Sequence, residues 1–584
     1  MLMLPALVVV FALLASLAPQ ADACTNLLVE RSLSTDGSNI ISYNADAANF
    51  YTSIYHYPAT EGNKNGTMRQ IYSWDYGTHT GEIEEAEFTY NVIGNVNEFG
   101  LIITESTFGG LQELVCDKRV GIVDYGSLIW VTLQRSRTAR EAIATMAGLV
   151  ERYGYASTGE SFSIADQEEM WYMELIGKGK YDKGAVWVAR RVPAGYATGH
   201  ANQARITTFP QNDPDTLYSP DVISFARTAG FYQGDDASFS FSDVYDPVTF
   251  DGARFCEARV WSFFSTIMGQ AWSDRYLDYA QGYNLTNRMP LWVKPDGKIS
   301  PQDVMQSMRS HYEGTALDTT GTQFPDVGAG AFEDPIRNHP ITWTSTTPEN
   351  KGKTYFNERT IAQSPTGWSI VCQSRADVAR EMAALMWFGI DDSSTSVHFP
   401  VYGSSKRVSK GWAGKGPQDG VTPPLMQFSL DSAFYVFNLV ANWAYSRWDA
   451  IYPDVHAKIL EKEAIYFEEV AARDEEVRAL LGEGKVEAAV EAMTSFSEAI
   501  GDALLKDWFV FFGEMFVKYR DGYVTTPGPA PVCGCQTNSL PYSSQWYDRI
   551  ATETGEHYVV PEEGELEGAI ARRAIPKRDL RAFL

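Results

Sequence analysis

Cysteine is scarce: six residues in a chain of 584 are too few for a disulfide scaffold in a protein of this size. Histidine is scarce as well, with eight residues scattered without an HExxH motif or an i, i+4 pair. No metal site and no other cofactor is therefore expected. Cys533-Gly534-Cys535 lacks the further ligands that a structural zinc needs; in a Pro- and Gly-rich stretch, it reads as half of a bridge to Cys116, Cys256 or Cys372. Basic residues are outnumbered, 48 Lys and Arg against 74 Asp and Glu, for a formal charge of −26. That excess of acid argues against nucleic acid and anionic lipid surfaces as partners. Beyond the amino-terminal segment no apolar run is long enough to cross a membrane.

What the chain has in quantity is material for a core, 44% hydrophobic and 13% aromatic residues, enough for a large globular body with more than one lobe. Residues 7–17 are continuously apolar or small and are followed by Pro19-Gln20 and then Ala21-Asp22-Ala23, the small-x-small pattern a signal peptidase reads. Residues 1–23 are expected to be a cleaved signal peptide. The mature chain would then be exported without a transmembrane segment; secretion, periplasm, cell surface and lysosome all fit.

Residues 24–428 alternate short strand-like runs, such as Ile102-Ile103-Thr104-Glu105 and Phe162-Ser163-Ile164-Ala165, with helical spacing over residues 135–153. A polar turn, Asp166-Gln167-Glu168-Glu169, separates the second run from Met170-Trp171-Tyr172-Met173-Glu174, as in a hairpin. Blocks of this kind predict an α+β fold with antiparallel sheet. Residues 429–526 change character. Ile459, Tyr466, Val470, Val477 and Leu481 form one apolar stripe that ends at Gly482 and Gly484, and Met493, Ile500, Leu504, Trp508 and Phe511 form a second. Both read as helices packed on the core. Residues 527–584 read as a linker and tail, with residues 572–584 a charged surface segment.

The residue after the predicted cut is Cys24. A free thiol, with a pKa of roughly 8.5, needs a base to attack well near neutrality. A newly exposed α-amine, with a pKa of roughly 8, can be that base. While Ala23 is attached the same nitrogen is an amide and accepts no proton. Placement alone leaves three readings open: a self-activated nucleophile, half of a disulfide, and a lipid-modified cysteine. A lipobox usually carries Leu where this chain has Ala21.

The blocks Cys24-Thr25-Asn26-Leu27-Leu28-Val29, Thr35-Asp36-Gly37-Ser38 and Tyr43-Asn44-Ala45-Asp46 resemble the opening of the cysteine dipeptidases of the N-terminal-nucleophile hydrolase superfamily, the family that also holds the secernins. The resemblance continues through Asn97-Glu98-Phe99-Gly100-Leu101, Glu105-Ser106-Thr107-Phe108-Gly109-Gly110 and Asp124-Tyr125-Gly126-Ser127-Leu128. It runs on through Gly199-His200-Ala201-Asn202-Gln203-Ala204-Arg205-Ile206, Glu257-Ala258-Arg259-Val260-Trp261 and Arg359-Thr360-Ile361. It implies a four-layer αββα sandwich with the nucleophile on the first strand, at a sheet edge. It also implies a thiol-dependent hydrolase acting on dipeptides or short peptides through an acyl-enzyme. The catalytic residues it implies are Cys24 as nucleophile, Asn202 as oxyanion donor, Asp46 orienting the α-amine and Arg259 favouring the thiolate. His200 is expected to stand behind the site. Many members carry Arg where this chain has Tyr43, which leaves Arg259 the larger share of thiol tuning. Two alternatives remain at this level: an acylase for non-peptide amides of the penicillin V or bile-salt type, and a non-catalytic exported binding or lipid-anchored protein.

Overall fold

The structure, a computed structural model, describes residues 23–47, 51–115, 121–320, 340–414, 416, 424–529 and 534–560. The predicted signal peptide up to residue 22, Cys116, Cys533 and the segment 572–584 lie outside the described residues.

Two large sheets carry the fold. The first is seven-stranded and wholly antiparallel. Its centre is β1 (Ala23–Val29) and β2 (Asn39–Asp46), joined in a register that sets Cys24 opposite Ala45 and Ala23 opposite Asp46. Every residue of β2 is buried, the mark of a strand covered on both faces. The second sheet is nine-stranded and contains β3 (Ile102–Gly109). β3 lies against both β1 and β2, so the sheets pack on each other. Pleating sorts β3 between two cores: Ile102 faces the first sheet, and Ile103 joins Leu128, Ile143 and Met146 on the other side.

Those last residues belong to α1 (Tyr125–Leu133) and α2 (Ala139–Tyr153), which cover the nine-stranded sheet. The helix expected from residue 135 starts at Ala139 because the Thr138 side chain caps it, accepting from Glu141 N–H. On the outer face of the seven-stranded sheet, α3 (Ala258–Met268) packs on β1 and on β4 (Ala197–His200), and α4 (Pro301–Met308) packs on β2 and β5 (Thr366–Ser374). β1 is paired on both sides, with β4 and β2. The implied edge position of the nucleophile strand is therefore corrected to an interior one.

Two long helices, α5 (Trp448–Gly482) and α6 (Val486–Tyr519), pack together beside the seven-stranded sheet. The expected stripe is buried at Ile459, Tyr466, Val470 and Val477. Trp387 stacks on Phe467 at 3.9 Å, Arg309 pairs with Glu463, and Arg375 pairs with Asp474. A hairpin, Tyr523–Pro527 with Cys535–Ser539, straddles the expected boundary, its first strand mostly at the end of the region read as helical and its second in the stretch read as a linker, which also contains a helix, Ser544–Thr554. Arg447 fastens it by donating to the carbonyls of Leu540 and Pro541 at 3.0 and 2.9 Å. Cys535 is disulfide-bonded, while Cys256 and Cys372 are free, so neither of those two is its partner.

Candidate active site

Cys24 lies near the start of β1 with its thiol turned into the space between the sheets, 3% exposed. Tyr43 is its diagonal neighbour on β2, two positions from the directly opposite Ala45, which puts both side chains on one face. The Tyr43 hydroxyl is 3.6 Å from Sγ. Glu105, reaching across from β3, accepts from the thiol at 3.8 Å and from the Tyr43 hydroxyl. Burial pushes the Cys24 thiol well above its ordinary range, and the charges of Glu105 and Asp46 push it further; the hydrogen bonds from Asp46 N–H and Tyr43 pull it back.

The backbone of residue 24 is held from the other face. Its N–H donates to Asn202 Oδ1 at 3.0 Å. Arg259 donates from Nη1 to the Cys24 carbonyl at 2.7 Å and to Thr25 Oγ1 at 2.9 Å, and from Nη2 to Asn202 Oδ1 at 2.7 Å and the Ala201 carbonyl at 3.2 Å. Its Nε donates to Phe255 O at 2.9 Å. The helical turn carrying Phe255, Gly252–Glu257, is wound as a π-helix and runs straight into α3, a local irregularity of the kind that re-aims a side chain. Arg259 thus clamps the main chain at Cys24 and does not touch the sulfur. The resemblance implied that a guanidinium near the nucleophile favours the thiolate; the contacts described place that of Arg259 on the main chain of Cys24.

Asn202 sits at φ +61° just after β4. Its Oδ1 is shared by Cys24 N–H and Arg259, and its Nδ2 donates to Thr107 O. The expected role was an amide donor to an oxyanion; what the geometry shows is a carbonyl acceptor locating the nitrogen of residue 24. Asp46 alternates onto the face of β2 opposite Tyr43. Thr366 Oγ1 and Gln363 Nε2, the latter at 3.1 Å, hold its carboxyl. Burial pushes Asp46 up to about 7 against the opposing pull of Thr366 and Arg259. The Cys24 nitrogen, an amide to Ala23 here, bonds to Asn202 and not to Asp46. His200 stands apart from the thiol: Ser106 and Ser163 occupy its two ring nitrogens, and its ring stacks on Tyr172 at 5.0 Å.

Sequence reasoning did not assign roles to Tyr43 and Glu105. Tyr43 carried a signal as the departure from the usual Arg; Glu105 carried only the oddity of an acid in an otherwise apolar and hydroxyl-bearing strand. Both also line a cavity walled by aromatic rings, among them Tyr55, Tyr57, Trp74, Trp130 and Trp368. Asp75 lies on the same wall and accepts from the Tyr125 hydroxyl. Among the described residues no group of three His, Cys, Asp or Glu is placed to hold a metal ion, and no helix is long and apolar enough to cross a membrane.

A buried thiol at the head of an interior strand, with its main chain clamped and a cavity beside it, is an arrangement suited to nucleophilic attack on a bound carbonyl. Comparison with known proteins points to a peptidase. The chain is 29% identical over 325 residues to a probable dipeptidase of Salmonella dublin, an overlap covering 52% of this chain and 70% of that protein. It is 25% identical over 404 residues to a probable dipeptidase of Latilactobacillus sakei, covering 66% and 74%. It is 23% identical over 344 residues to dipeptidase A of Lactobacillus helveticus, covering 58% and 60%. The model of peptidase family C69 matches residues 23–461, from the residue before the thiol into α5, and the chain belongs to that family of hydrolases.

Proposed function

We propose that this protein is an exported dipeptidase whose nucleophile is Cys24, freed as the amino-terminal residue by a cut after Ala23. The reading includes a four-layer αββα N-terminal-nucleophile architecture, in which helices cover the outer faces of two packed sheets. The observation that carries it is the placement of Cys24: a buried thiol with its nitrogen and carbonyl both pinned, by Asn202 and Arg259, next to a cavity.

The chemistry follows from those positions. After the cut, the α-amine of residue 24 replaces the amide that now bonds Asn202 and takes the thiol proton. The thiolate adds to the peptide carbonyl, the C–N bond breaks, and the amine product leaves with the proton. Water, deprotonated by the same α-amine, then cleaves the thioester and restores the thiol. Arg259 and Asn202 keep the amine and the sulfur in one geometry, the effect that positioning contributes to rate.

The test is the mass of the amino-terminal peptide of the exported protein, followed by dipeptide hydrolysis. We expect Cys24 first and unmodified, and Cys24→Ala reduced to background turnover. Full activity in Cys24→Ala, or a longer, lipidated or disulfide-bonded start, would overturn the reading. A panel of non-peptide acyl amides separates a dipeptidase from an acylase on the same fold.

A further inference from the structure

Asn202 has to keep its Oδ1 on the nitrogen of residue 24, and that nitrogen, once it is an α-amine, takes up and gives back a proton in every turnover. Asn202 does this from φ +61°, just after β4, a left-handed conformation that persists only where its surroundings over-determine it. Two carboxyls supply much of that surrounding. Gln203 Nε2 donates to Asp246 Oδ2 at 2.7 Å and to the Asp246 carbonyl at 2.8 Å, and Ala204 N–H donates to Asp246 Oδ2 at 2.8 Å. Arg205 N–H donates to Glu174 Oε1, and Ile206 N–H reaches the two oxygens of the same carboxyl at 3.1 and 3.2 Å. Three successive main-chain N–H groups thus close on two acids, the concave arrangement with which backbone holds an anion.

These acids reach the turn from outside its own sheet. Glu174 lies on the strand Met170–Gly177 of the nine-stranded sheet, and Asp246 directly follows the short helix Phe241–Tyr245. Asn202 follows a strand of the seven-stranded sheet. The turn is therefore located against both sheets, as is the space between them into which the thiol points. Glu174 is fixed in its own right: the Tyr172 hydroxyl donates to it at 2.5 Å, and the Tyr172 ring stacks on His200, two residues before Asn202. The Arg205 side chain adds a tie to the other clamp. It donates to the Gly199 carbonyl in β4 at 2.9 Å and pairs with Glu257 at 2.9 Å, at the end of the π-helical turn that runs into Arg259. Glu174 is 0% exposed, and a buried carboxyl is a costly acceptor for a turn that only has to close, since a hydroxyl or amide gives up less hydration. Rigid support for a reacting group is the use that such a cost fits.

We propose that Glu174 and Asp246 are positioning residues of the reaction: they fix residues 203–206 so that Asn202 keeps its carbonyl on the nitrogen of residue 24 while that nitrogen exchanges a proton with the thiol. The inference rests on the reading of Cys24 as the nucleophile and of its α-amine as the base. Both acids act through Asn202, so loss of either lowers kcat and leaves KM nearly unchanged.

The experiment is a double-mutant cycle on mature enzyme with one apolar dipeptide, run below the melting temperature of every variant. Glu174→Met removes the acceptor oxygens and is expected to lose about tenfold or more in kcat, with KM held within about twofold. Glu174→Gln, which keeps an oxygen for Arg205 and Ile206, is expected to recover most of that loss. In an Asn202→Gly background the further loss from Glu174→Met should shrink to within about twofold, because the side chain it positions is gone. A merely structural role would leave that loss in full. Asp246→Ala, at a half-buried position, carries the same cycle should Glu174→Met not fold. An unchanged kcat in the single variants, a loss expressed in KM, a Glu174→Gln as damaged as Glu174→Met, or a loss that persists undiminished in Asn202→Gly would each overturn the proposal. Activity surviving in Cys24→Ala would instead overturn the nucleophile assignment, so the two failures are distinguishable.

Discussion

Asn202 is at once a backbone and a side-chain requirement. At φ +61° an L-residue other than Asn or Gly is strained by roughly 1–2 kcal/mol, and its Oδ1 is the acceptor for Cys24 N–H and Arg259. The two roles separate by substitution. Both Asn202→Gly and Asn202→Ala leave Arg259 and Cys24 N–H without their shared acceptor and should melt below wild type, Asn202→Ala lower still because only it carries the backbone strain, while both lose activity by about 100-fold or more, the scale on which one misplaced positioning contact acts; the difference in melting between the two variants reads the strain apart from kcat. Cys24, Asn202, Arg259 and Asp46 could be singled out in the sequence because each sits in a recognisable block. The contacts they make were legible only in part. Asp46 and Tyr43 are three positions apart on one strand, so pleating sends them to opposite faces. The Tyr43–Glu105 contact spans two sheets, and no spacing along the chain reveals such a pair.

At the scale of elements, one buried charge group helps to join α5 to the seven-stranded sheet, beside the Arg375–Asp474 pair and the Trp387–Phe467 stack. Glu463 accepts from Arg309, from His398 N–H at 2.8 Å and, at 3.1 Å, lies against the His398 ring. Burial alone would push Glu463 up, but Arg309 and His398 hold it down to about 2. Replacing one member strands the others in the interior, so Glu463→Gln is expected to cost roughly 3–5 kcal/mol in denaturant unfolding, with dipeptidase kinetics at low temperature little changed because the site lies on other elements. The helical stripes of α5 and α6 were readable from their period. The hairpin Tyr523–Pro527 with Cys535–Ser539 was not: Pro and Gly between two short strands give the composition of a linker, and only tertiary contact through Arg447 distinguishes the two. The start of α2 was misplaced by four residues because the periodicity runs smoothly through the turn before the Thr138 cap.

The whole molecule carries opposing titrations. Burial pushes Asp46 and Glu174 up to about 7 and Asp246 up to about 8. These groups hold protons in the folded chain that an unfolded chain releases from about pH 4. Their contribution to stability is complete below that pH and is lost as the pH rises through 7 to 8. Glu463 has the reverse sign: its contribution is present above about pH 4.5 and is lost as the pH falls toward 2. From these groups stability should therefore peak at about pH 4–4.5, declining on the acid side as Glu463 is protonated and on the other side progressively from about pH 4.5 to about 8, in thermal melting followed across pH. The formal charge of −26 steepens the alkaline side through self-repulsion. A last consequence lies in the interior position of β1. On its β4 side the pairing begins only at Asn26, opposite His200, whereas Ala23 and Cys24 are paired on the β2 side alone. Among the described residues, a cut after Ala23 would remove one rung of the ladder, Ala23 opposite Asp46, and leave the clamped part of the strand intact. Folding and activation would then be separable acts of biogenesis: the chain can finish its architecture as an inert precursor and acquire reactivity afterwards, at the moment of processing, without rebuilding anything.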